Sequence, residues 1–337
     1  MTSLPTDGPG RRPDPPSRPV ALVGPTASGK SSLALAVART GDGGAPPVEL
    51  VSVDSMAVYR GMDIGTAKPS AEVRSEVPYH LVDLVDPSDE FTVLQFQAAA
   101  VSALDGIAER GHRALLVGGT GLYLRSLIDD LTFPGRFPEV AGALGAELDA
   151  AGSGDSPEAL QALAGLHTRL ARLDPVAAAR MEPTNRRRVI RALEVTVGSG
   201  RPFSTFGPGL DAYPPTAFAL VGLPLAEDID QRIEERFSAQ MEAGFLDEVR
   251  ALVARPGGLS RTARQALGYR ELLAHLERGV PLDAAVSEAI RRTRVFARRQ
   301  WAWFRRDPRI VWVGEHDDRV ARVTGAFGGG ESRRMGN

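Results

Sequence analysis

The stretch Gly24-Pro25-Thr26-Ala27-Ser28-Gly29-Lys30-Ser31 follows the apolar run Val20-Ala21-Leu22-Val23 and opens the helix-forming run Ser32-Leu33-Ala34-Leu35-Ala36. Strand, glycine loop and helix in that order leave few folds open. The spacing of Gly24, Gly29, Lys30 and Ser31 fits the phosphate-binding pattern G-x-x-x-x-G-K-[ST] without mismatch, in the context the pattern requires. Backbone N–H groups and the positive end of the helix dipole then converge on phosphate oxygens. Lys30 adds a point charge, and the Ser31 hydroxyl is the expected ligand of a phosphate-bound Mg²⁺. The loop says which group is held and leaves the bond that breaks undecided.

Beyond the loop, Val48 to Val53 reads as a strand ending at Asp54-Ser55, which sets Asp54 on the edge where open α/β sheets place their ligands. Further strands are predicted over 80–85, 114–117, 217–222 and 310–313, with a helix over 93–110 between them. Strands alternating with helices imply parallel pairing. The expected fold is therefore α/β, a P-loop NTPase-like parallel sheet with helices on both faces. Between Phe133 and Phe206 the strand patterns cease, and an inserted all-helical domain is expected there. The resulting division is 20–132 with 207–324 as catalytic core and 133–206 as insertion, flanked by a disordered tail over 1–19 and a flexible one over 325–337.

In the insertion, Val189, Leu193 and Val197 at i+4 spacing predict a helix over 185–197 with a core-facing stripe. Ile229, Ile233, Phe237 and Met241 mark another amphipathic helix, with Arg232 and Arg236 on a different face. The last long helix, over 282–306, is expected to bury Val286, Ile290, Ala297, Trp301 and Phe304 and to present Arg291, Arg294, Arg298 and Arg305 as a continuous basic stripe. Net charge is only −2, so nucleic-acid binding gains nothing from the total. Distribution is what counts. Eight arginines and one acid, Asp307, lie between Arg291 and Arg309, and Arg186, Arg187, Arg188 and Arg191 form a second basic cluster. Either set could serve a polyanion or simply a solvated face.

Among 40 basic residues only Lys30 and Lys68 are lysines, so the chain uses arginine wherever a positive charge suffices. An ammonium and a guanidinium are not interchangeable at a crowded phosphate site, which makes Lys68 a second candidate beside Lys30. Cysteine is absent, excluding thiol catalysis and cysteine-ligated zinc and fitting a reducing, cytoplasmic setting. No apolar run approaches a membrane span.

Taken in order, GPTASGKSS, SVDSMAVYRGMDIGTAKP (52–69), LLVGGTGLY (115–123), QALGYRE (265–271) and TRVFARRQWAWFR (293–305) resemble the bacterial tRNA dimethylallyltransferase family, also called tRNA isopentenyltransferases or IPP transferases. The resemblance covers nearly the whole chain between the tails. It implies a prenyl transferase that moves a dimethylallyl group from dimethylallyl diphosphate to N6 of adenosine 37, next to the anticodon of tRNA, with diphosphate leaving. By the same resemblance the P-loop, Gly24 to Ser31, holds the diphosphate with Lys30, Arg236 and Mg²⁺. Asp54 matches the general base, with a cap or a metal-shell residue as its alternatives. Asp54, Ser55, Met56 and Ala57, Arg187, Arg188, Val189, Ile190 and Arg191, and Gln265, Gly268, Tyr269 and Arg270 match tRNA-contacting segments, and Thr120 a position near the target base. Arg294 and Arg298 join them through the basic stripe. Monomeric action is expected.

Ser31 stands where many relatives carry threonine, and Tyr79-His80 where paired histidines are frequent, so neither Tyr79 nor His80 is given a catalytic role. A P-loop small-molecule kinase and an adenylate isopentenyltransferase are the alternatives, and a small acceptor needs neither the insertion nor the arginine stripe. A non-enzymatic RNA-binding module would leave the P-loop and Asp54 without a task.

Overall fold

The computed structural model describes residues 17–40, 45–152, 154, 156–207 and 209–328. Most of both predicted tails, 1–16 and 329–337, lies outside them. The chain divides into two compact units, one of Met1–Asp129 with Pro215–Asn337 and one of Asp130–Pro214.

In the first unit the elements run β1 (Val20–Val23), α1 (Lys30–Arg39), β2 (Val48–Val53), α2 (Ala71–Glu76), β3 (Tyr79–His80), α3 (Val93–Glu109), β4 (Arg113–Gly118) and α4 (Gly121–Ile128). The second unit holds α5 (Pro138–Ala151), α6 (Pro157–Leu173), α7 (Pro175–Ala179) and α8 (Arg186–Ser199). The chain returns to the first unit with β5 (Ala219–Gly222), α9 (Ile229–Glu242), α10 (Phe245–Val253), α11 (Tyr269–Arg278), α12 (Leu282–Phe304), β6 (Val311–Trp312) and α13 (Arg319–Ala326).

Six strands pair in the order β3-β2-β4-β1-β5-β6, and every pairing is parallel. Because side chains alternate along a strand, β1 feeds two cores. Val20 and Leu22 meet Ala34 and Val37 of α1 and Val323 of α13, while Ala21 and Val23 belong to the larger core with Phe96 of α3, Phe245 of α10 and Leu272 of α11. A strand buried on both faces explains why VALV carries no polar residue.

Several expectations need correction. The strand over 80–85 stops at His80, since Leu81 and Asp83 adopt positive φ (64° and 56°) and the chain leaves the sheet, returning only as a bridge between Val85 and Tyr59. The stretch read as a C-terminal tail begins too early: α13 runs to Ala326, and Phe327 is buried. At the other end Arg18 Nε donates to the Ala217 carbonyl (2.9 Å), and the Ala219 N–H donates to the Pro19 carbonyl (2.9 Å), so these residues extend the sheet region. In α12, Val286, Ile290 and Trp301 are only partly buried, and Ala285, Ala289 and Gln300 take the innermost positions.

In the second unit α5, α6, α7 and α8 close over Leu144, Leu148, Leu166, Leu170, Val189 and Leu193. Asn185 caps α8 through the Arg188 N–H (3.2 Å). Val197 is 41% exposed rather than buried. A residue eight positions along a helix has drifted about 80° from the starting face, and Val195 and Thr196 fill the inward positions instead.

Lys68 is the second lysine by virtue of packing and not of phosphate. Its side chain is 1% exposed, its Nζ pairs with Asp63 (2.8 Å) and Asp83 (2.6 Å), and it donates to the Tyr59 carbonyl, tying the loop after β2 to the loop after β3. Lys68→Met should lower unfolding free energy by about 1–3 kcal/mol, the cost of leaving the Tyr59 carbonyl without its donor, since Asp63 is exposed and Asp83 keeps its pair with Arg74. Urea denaturation checks this, and an unchanged midpoint would contradict it.

Candidate phosphate and acceptor site

Register decides what meets at the sheet edge. Val23 of β1 pairs with Gly118 of β4, and Gly118 pairs in turn with Val53 of β2, so three strands end level. The residues that follow, Gly24, Gly119 and Asp54, therefore emerge side by side on the ligand-binding edge.

The P-loop folds as its spacing predicts. Gly29 takes the left-handed conformation (φ 88°) as the cap of α1, and Lys30 begins the helix. Lys30 is 9% exposed, and its Nζ donates to the Pro25 carbonyl and, at 3.4 Å, to Ser28 Oγ. From α9, Arg236 Nη1 donates to Thr26 Oγ1 (3.1 Å). Burial first, and then the Arg236 cation, holds the Lys30 ammonium down to about 7, with the Asp54 carboxylate acting the other way. Burial likewise lowers Arg236, again against Asp54. Two cations beside one carboxylate are short of negative charge, an arrangement suited to an anion.

Asp54 is fixed by its own backbone. Its Oδ1 accepts the N–H groups of Met56 (2.7 Å) and Ala57 (3.3 Å), while no hydrogen bond from the described residues reaches Oδ2. Thr120 Oγ1 accepts the Ser55 N–H (3.2 Å), and the Thr120 N–H donates to the Val53 carbonyl (3.3 Å). Thus the turn after β4 is stitched to the turn after β2. The carboxylate is anchored through one oxygen, and the other accepts no hydrogen bond from the described residues.

The model of the family described as IPP transferase matches residues 57–307. The tRNA dimethylallyltransferase of Streptomyces avermitilis is 44% identical over 300 residues, covering 89% of this chain and 91% of the relative. The chain belongs to the IPP transferase family. That of Geobacter metallireducens is 43% identical over 317 residues, with 92% and 98% covered. The crystal structure of a full-length tRNA isopentenylpyrophosphate transferase from Bacillus halodurans, 35% identical, superposes with a TM-score of 0.62 over 91% of this chain and 94% of that one.

Within this family member the expected tRNA-contacting residues divide by exposure. Arg187 and Arg188 are exposed on α8, and Gln265 and Arg270 are exposed on and before α11. Val189 is 0% exposed, because the helical period that brings Leu193 to the core brings Val189 with it. Ile190 is partly buried against the same core, and Arg191 pairs with Glu194 (2.7 Å) while donating to the Pro134 carbonyl (2.8 Å). Met56 is partly buried and Ala57 buried.

Tyr269 is buried as well. It is 0% exposed, and its hydroxyl donates to Glu248 (2.5 Å). Glu248 also accepts the N–H groups of Asp63 (2.9 Å), Ile64 (2.7 Å) and Gly65 (3.2 Å), so Tyr269 buttresses the loop after β2 from beneath. Gly268, buried at φ 83°, starts α11 beside it.

In the basic stripe of α12 three of the four arginines are paired. Arg298 pairs with Asp230 (2.7 Å), Arg294 with Glu234, and Arg291 with Glu288 (2.7 Å). Acids on α9, invisible as partners in a linear reading, compensate the first two.

His80 lies away from the chemistry. It bonds Glu49 (2.6 Å), as do His112 (2.6 Å) and Arg110 (2.8 Å), at the amino end of β2. Burial raises the Glu49 carboxyl, but bonds from Arg110, His80 and His112 outweigh it and bring the group to about 2. Sequence reading missed Glu248 and Gln300, whose partners lie far away in sequence.

The Lys30 value yields a signed prediction. A bound diphosphate favours the ammonium, so pyrophosphate binding between about pH 7 and 9 should take up a proton and weaken as pH rises through that window. Calorimetry in two buffers of different ionisation enthalpy measures the uptake, and Lys30→Met should reduce it by about one proton. Equal uptake in both proteins would mean the ammonium is already charged when free.

Proposed function

We propose that this chain transfers a dimethylallyl group from dimethylallyl diphosphate to N6 of adenosine 37 in tRNA and releases diphosphate. The carrying observation is the level end of β1, β2 and β4, which sets a diphosphate cradle beside an anchored carboxylate. Similarity to tRNA dimethylallyltransferases over most of the chain supports the same reading.

In this reading the allylic C–O bond breaks with its electron pair leaving on the diphosphate. Lys30, the loop N–H groups and Arg236 take up that charge, and their desolvation makes the interaction stronger than it would be in water. The adenine N6 lone pair forms the new N–C bond. Asp54 accepts the proton that N6 sheds, and Thr120, bonded to the backbone beside Asp54, orients the base.

Mg²⁺ would supply further neutralisation of the leaving diphosphate. The donor set fits a metal carried by the substrate: Ser31 offers one exposed hard oxygen at the start of α1, and among the described residues no group of three or more His, Cys, Asp or Glu is placed to hold an ion. Arg187, Arg188, Gln265 and Arg270 are the tRNA contacts that exposure favours, with Ser55 and Met56 at the reacting base. Lys30, Asp54, Thr120 and Arg236 all come from one chain, so a single copy suffices as a monomer. No helix of the described residues is long and apolar enough to cross a membrane, and a tRNA substrate suits a cytoplasmic enzyme.

Pyrophosphate release from dimethylallyl diphosphate should require tRNA, and ATP should yield no phosphate. tRNA-independent phosphate release from ATP would favour a kinase instead. Asp54→Asn preserves size and the acceptor for Met56 and Ala57 but removes the charge. Single-turnover transfer should fall roughly 10²- to 10⁴-fold with donor and tRNA affinities changed little. If Asn weakens donor binding and added Mg²⁺ restores it, Asp54 belongs to the metal shell.

A further inference from the structure

Gln300, on the last turns of α12, is 8% exposed and makes two hydrogen bonds in opposite directions. Its Oε1 accepts the Thr26 N–H of the P-loop (2.8 Å), and its Nε2 donates to the Gly119 carbonyl of the turn after β4 (2.9 Å). The partners fix the amide's orientation, because a backbone N–H only donates and a carbonyl only accepts. The approach to Gly119 is so close that any Cβ there would collide with the Gln300 amide. Gly121, two residues on, is pressed in the same way by Trp303 from the next turn of α12.

Thr26 is thereby held twice, by Gln300 at its N–H and by Arg236 at its hydroxyl. Gly119 is joined through Thr120 to Ser55 and so to Asp54. A single amide spans the diphosphate cradle and the acceptor turn.

We propose that Gln300 is a positioning residue that sets the P-loop against the Gly119–Thr120 turn, aligning the donor's allylic carbon with the acceptor nitrogen. The inference rests on the prenyl-transfer reading above for its kinetic consequence, while the mechanical link stands on the two bonds alone. Strand pairing sets the depth of both loops but ends at Val23 and Gly118, and beyond those residues Gln300 bonds one loop to the other. Misplacement by about 1 Å is enough to cost on the order of 100-fold in rate.

Two variants separate alignment from folding. Gln300→Met fills similar volume and removes both bonds. Gln300→Glu keeps the acceptor towards Thr26 and sets a carboxylate against the Gly119 carbonyl. Both should lower kcat on the order of 10- to 100-fold at saturating donor and tRNA, with KM for each substrate within about threefold and the circular-dichroism spectrum unchanged. Donor KM rising while kcat stays intact, or kcat falling only in proportion to lost folded protein, would overturn the proposal.

Hydrogen exchange reads the link without any turnover. In the natural protein, pyrophosphate should protect both 24–31 and 118–122, whereas in Gln300→Met protection should stay within 24–31. Protection of both segments in the variant would also overturn the proposal. Absence of prenyl transfer by the natural protein, with its exchange coupling intact, would instead remove the functional reading and leave the link standing.

Discussion

The level register of β1, β4 and β2 at Val23, Gly118 and Val53 is the constraint on which the site depends. A shift of one residue in either pairing would turn every side chain of that strand to the opposite core. It would also draw Asp54 or Thr120 back along the sheet. Burial on both faces of the sheet therefore does more than stabilise the fold. It fixes the depth at which the cradle, the carboxylate and the acceptor turn come to the surface.

What sits at that edge is kept in electrostatic tension. Lys30 is buried and Arg236 partly buried near it, and the carboxylate of Asp54 acts against the downward push on both cations. The surrounding packing bears that cost, as strain at functional sites is generally borne. Ala27 adds a strained backbone at φ 60° in the middle of the loop. The loop thus holds both a strained backbone and an under-neutralised cation.

The chain's local signals were legible, and its long-range pairings were not. VALV, the glycine spacing and Asp54 follow from patterns within a few residues, so the strand, the loop and the carboxylate could be placed from sequence. The strand after Tyr79 read too long because apolar alternation continues through Val85, while Lys68 and Arg74, far from it in a linear pattern, pull Asp83 aside. Tyr269 looks like a surface reader in a turn-rich segment, yet Glu248 makes it a buried prop. Gln300 carries no pattern at all, since its partners are Thr26 and Gly119 at the far end of the sequence.

The arginines of α12 would bear on any anionic polymer that reached that face. Where a bare lysine or arginine face sheds loosely held salt when it meets phosphate, Arg294 and Arg298 must first let go of Glu234 and Asp230. The exchange swaps one anion for another and returns little entropy from released ions. It also leaves two carboxylates on α9 that must turn outward or take on cations of their own. Such a face discriminates by geometry, rewarding only a backbone whose phosphates fall where the carboxylates were, and offers weak purchase to an arbitrary strand.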